Sequence, residues 1–374
     1  MKKKILYIVN IDKFFVSHRK EIALKARSFL QVELAAKLKL KKKYFIKKNI
    51  FTYNLFLNRG SYSFFSNFLT MINIFSIILK AKPDLIHFIS IKPVLIGGIV
   101  AKLFPKIPKI FSITGLGSSF IKDNFFSNTK YYILILLYKL ALKQKIIKVI
   151  FQNNNDLNFI KKKTDLKKSS CILMPGSGVD LKKYSPKKMN LKNPIVMLPS
   201  RMLSHKGVYE FINAVKIIKK HRVNARFVLV GDLDEENPSG IKLNVINSWV
   251  NDNLVEYWGH KKNMTKILNL ASIIVLPSYR EGFPKVLMEA AACGRPSITT
   301  NVPGCKDAVV DNYTGILVPL KNSKMLANEI EKLLNNKNKI NKMGSNSRNY
   351  ALKNFDINRI VDKHIKLYRE ILKK

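Results

Sequence analysis

The sequence predicts an α/β protein built on two doubly wound parallel sheets, and three observations carry that reading. Short continuous runs of Ile, Val, Leu and Phe alternate with longer stretches of helical periodicity, the pattern of strands covered by helices on both faces. The runs fall into two groups of six, separated by a Gly-, Ser-, Pro- and Lys-rich stretch from Pro175 to Pro194 that reads as a linker. The length of 374 residues is more than one ordinary core organises, at roughly 100–200 residues per domain.

In chain order, the strands expected in the first group are Ile5–Asn10, Val32–Ala35, Leu85–Ile89, Lys109–Ile113, Lys148–Phe151 and Cys171–Met174. The opening MKKKILYIVNI has the basic head and apolar run of a signal peptide. Asp12 and Lys13 end that run and no small-residue cleavage site follows, so it is read as a buried first strand. Two helical stretches are very apolar. Phe64 to Leu79 is interrupted by Ser66, Asn67, Asn73 and Ser76, and Tyr131 to Leu142 falls short of the ~20 residues a bilayer needs, so both are expected as buried or interfacial helices. The second group predicts Ile195–Pro199, Arg226–Val230, Val255–Trp258, Ile273–Leu276, Pro296–Thr299 and Gly315–Val318. The expected boundaries are 1–180 for the first domain and 181–354 for the second. Residues 355–374 are expected to form a C-terminal helix that crosses back to the first domain.

Lys and Arg number 67 against 24 Asp and Glu, a net charge of +43, while 47% of residues are apolar. That apolar content excludes a disordered polycation. Residues 1–180 carry +25 and the remainder +18, so the excess is spread along the chain, with local runs at Lys41–Lys43, Lys47–Lys48, Lys161–Lys163 and Lys167–Lys168. Such a surface attracts nucleic acid, anionic head groups and nucleotide diphosphates alike. Part of it reads as compositional bias of an Asn-, Ile- and Phe-rich chain. Cys171, Cys293 and Cys305 are odd in number and widely spaced, which gives neither a disulfide framework nor a CxxC metal pair and suits a reducing compartment.

In doubly wound sheets ligands sit beyond the carboxyl ends of the strands, so chemistry is sought in the loops that follow them. After Ile273–Leu276 comes Ser278-Tyr279-Arg280-Glu281-Gly282-Phe283-Pro284, leading into a helix that contains Glu289. Pro284 suits a first turn, Gly282 allows close backbone approach, and two carboxylates line one cleft at different depths. The plain structural alternative is a capping Glu281 and a solvated Glu289. After Ile195–Pro199 the loop Ser200 to Gly207 offers the planar fork of Arg201 and the point charge of Lys206, a combination suited to a diphosphate. The acidic loop Gly231 to Glu236 contains Asp232-x-Asp234, but no converging oxygen ligands complete a metal site.

The segments RMLSHKGVYEF, ARFVLVGDLDEENPSGI, LPSYREGFPKVLMEAAACGRPSITTNVPGC and TGILVP, in this order, resemble the retaining glycosyltransferases of family 4. The first half adds FFVSHRKEIALKA, DLIHFISIKPVLIGG, TGLGSSF, VIFQN and MPGSGVDL. This set is similar to the capsular-polysaccharide and lipid-linked-oligosaccharide branch, which includes the protein-glycosylation N-acetylgalactosaminyltransferases. Glu281 and Glu289 match the two acids of the family's E-x7-E motif. The resemblance implies the GT-B fold, two Rossmann-like domains facing a central cleft.

Carried over to this sequence, the resemblance makes Glu281 the catalytic acid beside the transferred sugar. Arg201 and Lys206 would bind the donor diphosphate and Glu289 the ribose. Gly282, Phe283 and Pro284 would line the sugar and phosphate, although Pro284 has no amide proton to give, and Gly259 and His260 would lie near the nucleobase. His18, Arg19, Thr114, Gly115 and Gly117 are the expected acceptor-side contacts. His87 is read as a core histidine and His205 as a residue shaping the phosphate loop. The resemblance implies no metal and no cofactor, with a nucleotide-sugar as donor substrate, a lipid-linked saccharide as acceptor and no nucleic acid. The expected location is cytoplasmic, peripheral to an anionic membrane, through Lys37 to Phe51 with Tyr44, Phe45 and Phe51 inserting, and through the helix Phe64 to Leu79. The competing reading is a basic membrane- or nucleic-acid-binding scaffold that keeps the fold without turnover.

Overall fold

The computed structural model describes residues 2–57, 64–117, 120, 125–235 and 237–373. The chain divides into two compact units, Met1–Ser177 with Asn358–Lys374, and Gly178–Ile357.

Unit 1 runs β1 (Lys3–Ile11), α1 (Asp12–His18), α2 (Lys20–Ala26), β2 (Leu30–Lys37), α3 (Lys42–Ile46), β3 (Phe51–Asn54), α4 (Phe64–Ala81) and β4 (Leu85–Ile89). A π-turn at Pro93–Gly97 and α5 (Gly98–Val100) lead to β5 (Lys109–Ile113), α6 (Phe125–Leu142), β6 (Ile147–Phe151), α7 (Asn154–Thr164) and β7 (Cys171–Leu173). The seven strands are parallel in the order β3-β2-β1-β4-β5-β6-β7. Alternation along the strands sorts the helices between two faces. Leu6, Ile8, Ile86 and Phe88 pack with Ile74 and Ile77 of α4, Val94 and Leu95 of the π-turn, and Tyr138 of α6. The opposite face presents Tyr7 and His87, which meet Phe15 of α1 and the C-terminal helix.

The strand β3 is an addition to the six strands expected here. Its FTYN sequence lacks a continuous apolar run because it is the sheet edge, and none of its four residues is buried. Asp12 is fully buried at the start of α1, where Oδ2 accepts from the amides of Lys39 and Leu40, both at 2.7 Å. The carboxylate thus ties the loop after β1 to the loop after β2.

Unit 2 runs β8 (Ile195–Pro199), α8 (Val208–Lys220), β9 (Arg226–Val230), α9 (Leu243–Asn251), β10 (Glu256–Tyr257), α10 (Met264–Leu270) and β11 (Ile273–Leu276). It continues with α11 (Lys285–Ala292), β12 (Ser297–Thr300), α12 (Cys305–Ala308), β13 (Gly315–Val318), α13 (Ser323–Leu334) and α14 (Lys337–Asn354). Its six strands are parallel in the order β10-β9-β8-β11-β12-β13. Val196 and Leu198 face α8 and α13, whereas Ile195 and Met197 face α11. The helices that follow the two central strands, β8 and β11, therefore lie on opposite faces, which makes the β8/β11 boundary the topological switch point.

The final helix, α15 (Ile357–Leu372), completes the Tyr7 face of unit 1. Tyr7 donates to the Tyr368 hydroxyl at 3.1 Å, that hydroxyl meets His87 Nδ1 at 2.9 Å, and His87 Nε2 meets Ser112 Oγ at 2.7 Å. Burial holds His87 well below the ordinary histidine range, with His364 and Arg19 adding to the shift. A neutral imidazole donating through Nε2 and accepting through Nδ1 fits all three contacts. His87 is thus a fully buried core residue, as expected from its place inside a strand. Tyr368→Phe should remove the shared hydroxyl, strand two buried polar atoms and cost about 1–3 kcal/mol, read as a lower Tm; an unchanged Tm would show that the chain of bonds adds no net stability.

Candidate functional site

The two loops at the switch point of unit 2 bring the predicted donor-side residues together. The loop after β8 carries Arg201, His205 and Lys206 and ends at Gly207, whose φ of 76° lies in the left-handed region. A Cβ at Gly207 would stand 2.1 Å from the Pro277 carbonyl oxygen, so a side chain there would force this loop off the one following β11. The amide of Tyr279 donates to the His205 carbonyl at 2.9 Å, a second direct tie between the loops.

A third tie is ionic. Lys206 Nζ pairs with Glu281 Oε1, and both side chains are mostly buried. Arg201 pairs with Asp234 in the same way at the exposed rim. His205 sits among these charges with Nδ1 buried and unpartnered among the described residues. Burial, helped by the neighbouring Lys206, pushes it down to about 4. The imidazole is therefore neutral near pH 7 and adds no further positive charge to the loop.

Glu281 is held from behind. Its amide donates to the Pro303 carbonyl at 3.2 Å, and Gly304, with φ of 85°, lies so close that a Cβ would stand 2.4 Å from the Glu281 carbonyl oxygen. Cys305 is buried beneath this turn, and its thiol is pushed up to about 12 by burial and by the nearby Glu281 carboxylate. Glu289, on α11, is 7% exposed. It lies 3.4 Å from Lys285 Nζ, one helical turn earlier, and holds the Tyr184 hydroxyl, which burial and this carboxylate raise well above the usual phenol range. The two acids thus stand at different depths on one loop–helix unit, each with its own cation. Gly282, Phe283 and Pro284 join them, with Phe283 packed into the apolar core against Phe355.

Gly259, with φ of 62°, has open space where a Cβ would stand. Its carbonyl accepts from the Gly231 amide at 3.0 Å, and His260 Nδ1 lies 3.1 Å from Asp232 Oδ2. The two aspartates of Asp-x-Asp therefore meet different partners, Asp232 meeting His260 and Asp234 meeting Arg201. Glu236 of the same loop lies outside the described residues.

Sequence reasoning missed Tyr184 and Lys285. Tyr184 lies in the stretch taken for a linker, and nothing in its neighbourhood signals that it meets a carboxylate more than 100 positions away. Lys285 had a signal, since it stands four residues before Glu289 on one helix face.

The acceptor-side candidates belong to unit 1. Thr114, Gly115 and Gly117 follow β5, and both glycines have positive φ, 116° and 71°; Ser118 and Ser119 of the same motif lie outside the described residues. His18 stacks on Phe14 with ring centroids 4.1 Å apart and meets Ser17 Oγ at 2.7 Å. Arg19, another expected acceptor-side contact, is turned inward. It is 2% exposed and enclosed near Tyr7 and Tyr368, with its ordinary pKa lowered by burial. Ser90, at the β1/β4 switch point, holds φ of 77°, a left-handed conformation costing a non-glycine residue about 1–2 kcal/mol. Such strain marks a position held by its surroundings at the ligand end of a sheet.

Two parallel doubly wound units, with basic and acidic groups meeting at a switch point, are the architecture of the GT-B glycosyltransferases. The chain belongs to the group 1 glycosyltransferases with a family-4-like first half. Residues 182–350 match the model of glycosyl transferases group 1, and residues 4–153 match that of glycosyl transferase 4-like proteins. It is 34% identical to N,N'-diacetylbacillosaminyl-diphospho-undecaprenol alpha-1,3-N-acetylgalactosaminyltransferase of Campylobacter jejuni, over 74% of each chain. It is 28% identical to the capsular polysaccharide biosynthesis glycosyltransferase CapM of Staphylococcus aureus, over 83% of this chain and 82% of that one. Among solved structures, sucrose-phosphate synthase of Thermosynechococcus elongatus shares the fold with a TM-score of 0.82 at 20% identity, covering all of both chains.

The neutral His205 gives a pH prediction. Its pKa is depressed on folding, so its contribution to stability is complete above the unfolded value of about 6.5 and is lost as pH falls from there to about 4. His205→Gln should flatten that part of the Tm-against-pH curve, and an unaltered curve would place the acid sensitivity elsewhere.

Proposed function

We propose that this chain is a retaining glycosyltransferase that moves a hexose or N-acetylhexosamine from a UDP-sugar to a lipid-linked saccharide in surface-glycan biosynthesis. It works at the cytoplasmic face of an anionic membrane and needs no metal or other cofactor. The observation that carries this reading is the Lys206–Glu281 pair at the switch point, with Arg201 at the rim and Glu289 one step deeper. The names of relatives support the lipid-linked acceptor and the alpha linkage. The Campylobacter enzyme acts on a diphospho-undecaprenol saccharide and forms an alpha-1,3 linkage. An Escherichia coli relative, 26% identical over 81% of this chain and 79% of its own, is a UDP-Gal-dependent alpha-1,3-galactosyltransferase with a diphosphoundecaprenol acceptor.

In this reading Arg201 and Lys206 meet the diphosphate and Glu289 accepts from the ribose hydroxyls. As the bond between the anomeric carbon and the diphosphate oxygen breaks, the acceptor oxygen bonds to that carbon from the same face, and the acceptor proton passes to the leaving diphosphate. Negative charge grows on the diphosphate, where the two cations stabilise it most. Glu281 lies beside the sugar, where positive charge develops. Its Lys206 partner couples the two ends of the reaction, because a diphosphate that draws Lys206 also alters the charge balance at Glu281.

The direct test supplies a panel of nucleotide-sugars with a lipid-linked saccharide and follows UDP release together with the lengthened lipid product. UDP release that requires the acceptor and persists in chelator is expected. Binding without turnover would return the chain to the scaffold reading, and strict dependence on magnesium or manganese would give Asp232 and Asp234 a metal role.

Substitutions separate the residues. Arg201→Ala should weaken donor binding by about 10- to 150-fold, the loss of one charge-assisted contact worth about 1.5–3 kcal/mol. Lys206→Ala should cost at least as much, because it also leaves Glu281 without its cation. Glu281→Gln should chiefly lower kcat, whereas Glu289→Gln should chiefly raise the KM for donor, since a ribose contact is equally present in ground and transition states. The opposite split would exchange the two roles.

A further inference from the structure

Two helices of unit 1 are apolar on their outer as well as their inner faces. On α4, Ile74, Ile77 and Ile78 are buried, while Phe65, Phe68, Leu69, Ile72 and Leu79 are exposed. The exposed set follows spacings of three, four and seven residues, a single helical stripe. On α6, Tyr131, Tyr138 and Leu142 are buried, while Tyr132, Ile133, Leu136 and Leu140 are exposed. Both helices pack against the same sheet face and flank the same Pro93–Gly97 turn. Soluble monomers rarely leave contiguous apolar patches beyond roughly a few hundred Å², so this layer calls for an apolar partner.

Charge identifies the partner. Neither helix contains an acidic residue, and exposed lysines stand at their C-terminal ends, Lys80 and Lys82 at one and Lys143 and Lys145 just past the other. A second copy seated on this face would oppose two surfaces from a half-chain carrying +25. A lipid surface offers acyl chains to the stripes and anionic head groups to the lysines. Membrane crossing is not the mode, since no described helix is long and apolar enough to span a bilayer. The connections between parallel strands make α4 and α6 run antiparallel to the sheet, so both begin at the edge where the loops after β1, β4 and β5 lie.

We propose that α4 and α6 together form an interfacial platform that inserts its apolar stripes into an anionic bilayer, with the Lys41–Lys48 cluster as an electrostatic accessory. This rests on the reading of a lipid-linked acceptor and shifts the attachment from charge to apolar insertion. It also corrects the expected insertion site. Phe45 is buried, Tyr44 is half-buried with Lys48 Nζ 5.0 Å from its ring centre, and Ile46 and Phe51 are the exposed side chains there.

The test uses the full chain with vesicles of phosphatidylcholine alone or mixed with phosphatidylglycerol. Binding should need the anionic lipid for capture but largely persist in about 1 M salt, where screening reaches about 3 Å. Phe68→Asp with Ile72→Asp, or Ile133→Asp with Leu136→Asp, should each lower vesicle binding about 100-fold, from roughly 10-fold per inserted side chain, while UDP binding stays unchanged as a folding control. Lys→Gln replacement of Lys41, Lys42, Lys43, Lys47 and Lys48 should weaken binding at low salt only. A Phe68→Trp reporter should be quenched by brominated acyl chains beyond the background of Trp249 and Trp258.

Full release by salt, wild-type binding by the Asp variants, or an unquenched reporter would overturn the proposal. So would a dimer in solution that the same Asp variants dissociate, since the stripes would then join two copies of the chain. Transfer to a lipid-linked acceptor that continues without vesicle binding would overturn this platform and leave the enzymatic reading standing. Vesicle binding without transfer would do the reverse.

Discussion

The ion pair between Lys206 and Glu281 is the constraint around which unit 2 is organised. It joins loops from two strands whose following helices leave on opposite faces of the sheet, and Tyr279 of the second loop adds a hydrogen bond to Glu210 of α8 at 2.6 Å. Backbone ties do part of that work, through Tyr279 and His205 and through the glycine at 207, which allows a contact no side chain would tolerate. The rest is electrostatic. Mostly buried charges are costly unless paired, and breaking such a pair is more damaging than never having built it. A cation and an acid fixed in this way also have defined positions before any substrate meets them, which is how a polar site stabilises charge without reorganising.

Much of this was legible because parallel strands covered on both faces have to be continuous apolar runs. All six strands of unit 2 lie where such runs fall. The strand β3 escaped because edge position removes the need for burial, and with it the signal. The same logic applies within the site. Arg201, Lys206, Glu281 and Glu289 could be found because strand–loop–helix order places them at the ends of adjacent strands. Tyr184 could not, because its partner is set by the fold of a segment with no periodicity. Phe45 and Ile46 show the limit of reading a single helical turn: α3 is five residues long, too short for a stripe to reveal which side faces inward.

The large positive charge takes on different meanings in different places. In unit 2 the cations that matter are paired, as with Lys206, Arg201 and Lys285. Arg226 and Glu256 form a bidentate pair at 2.7 and 2.8 Å on the strands at the edge of that sheet. In unit 1 many lysines instead spend their ammonium groups on carbonyl oxygens, as Lys4 does on Ala81 and Lys148 on Ser169. A carbonyl satisfies the hydrogen bond but leaves the charge uncompensated. The larger share of the uncompensated charge therefore stays in the first half of the chain, +25 against +18.

Arg19 shows why the start of the chain cannot be read without its end. The residue follows α1 directly, in the turn before α2, yet it is 2% exposed. The face it occupies is closed by α15, whose His364 and Tyr368 are buried against Tyr7 and His87. Tyr7 and Tyr368, hydrogen-bonded to each other, are 361 positions apart. Closing such a loop is entropically slow and is rewarded only when the contact forms. In the folded chain α15 covers Tyr7 and His87 on that sheet face, and Arg19 is buried near them. The C-terminal helix is therefore part of the core of unit 1, and the buried guanidinium follows from that topology.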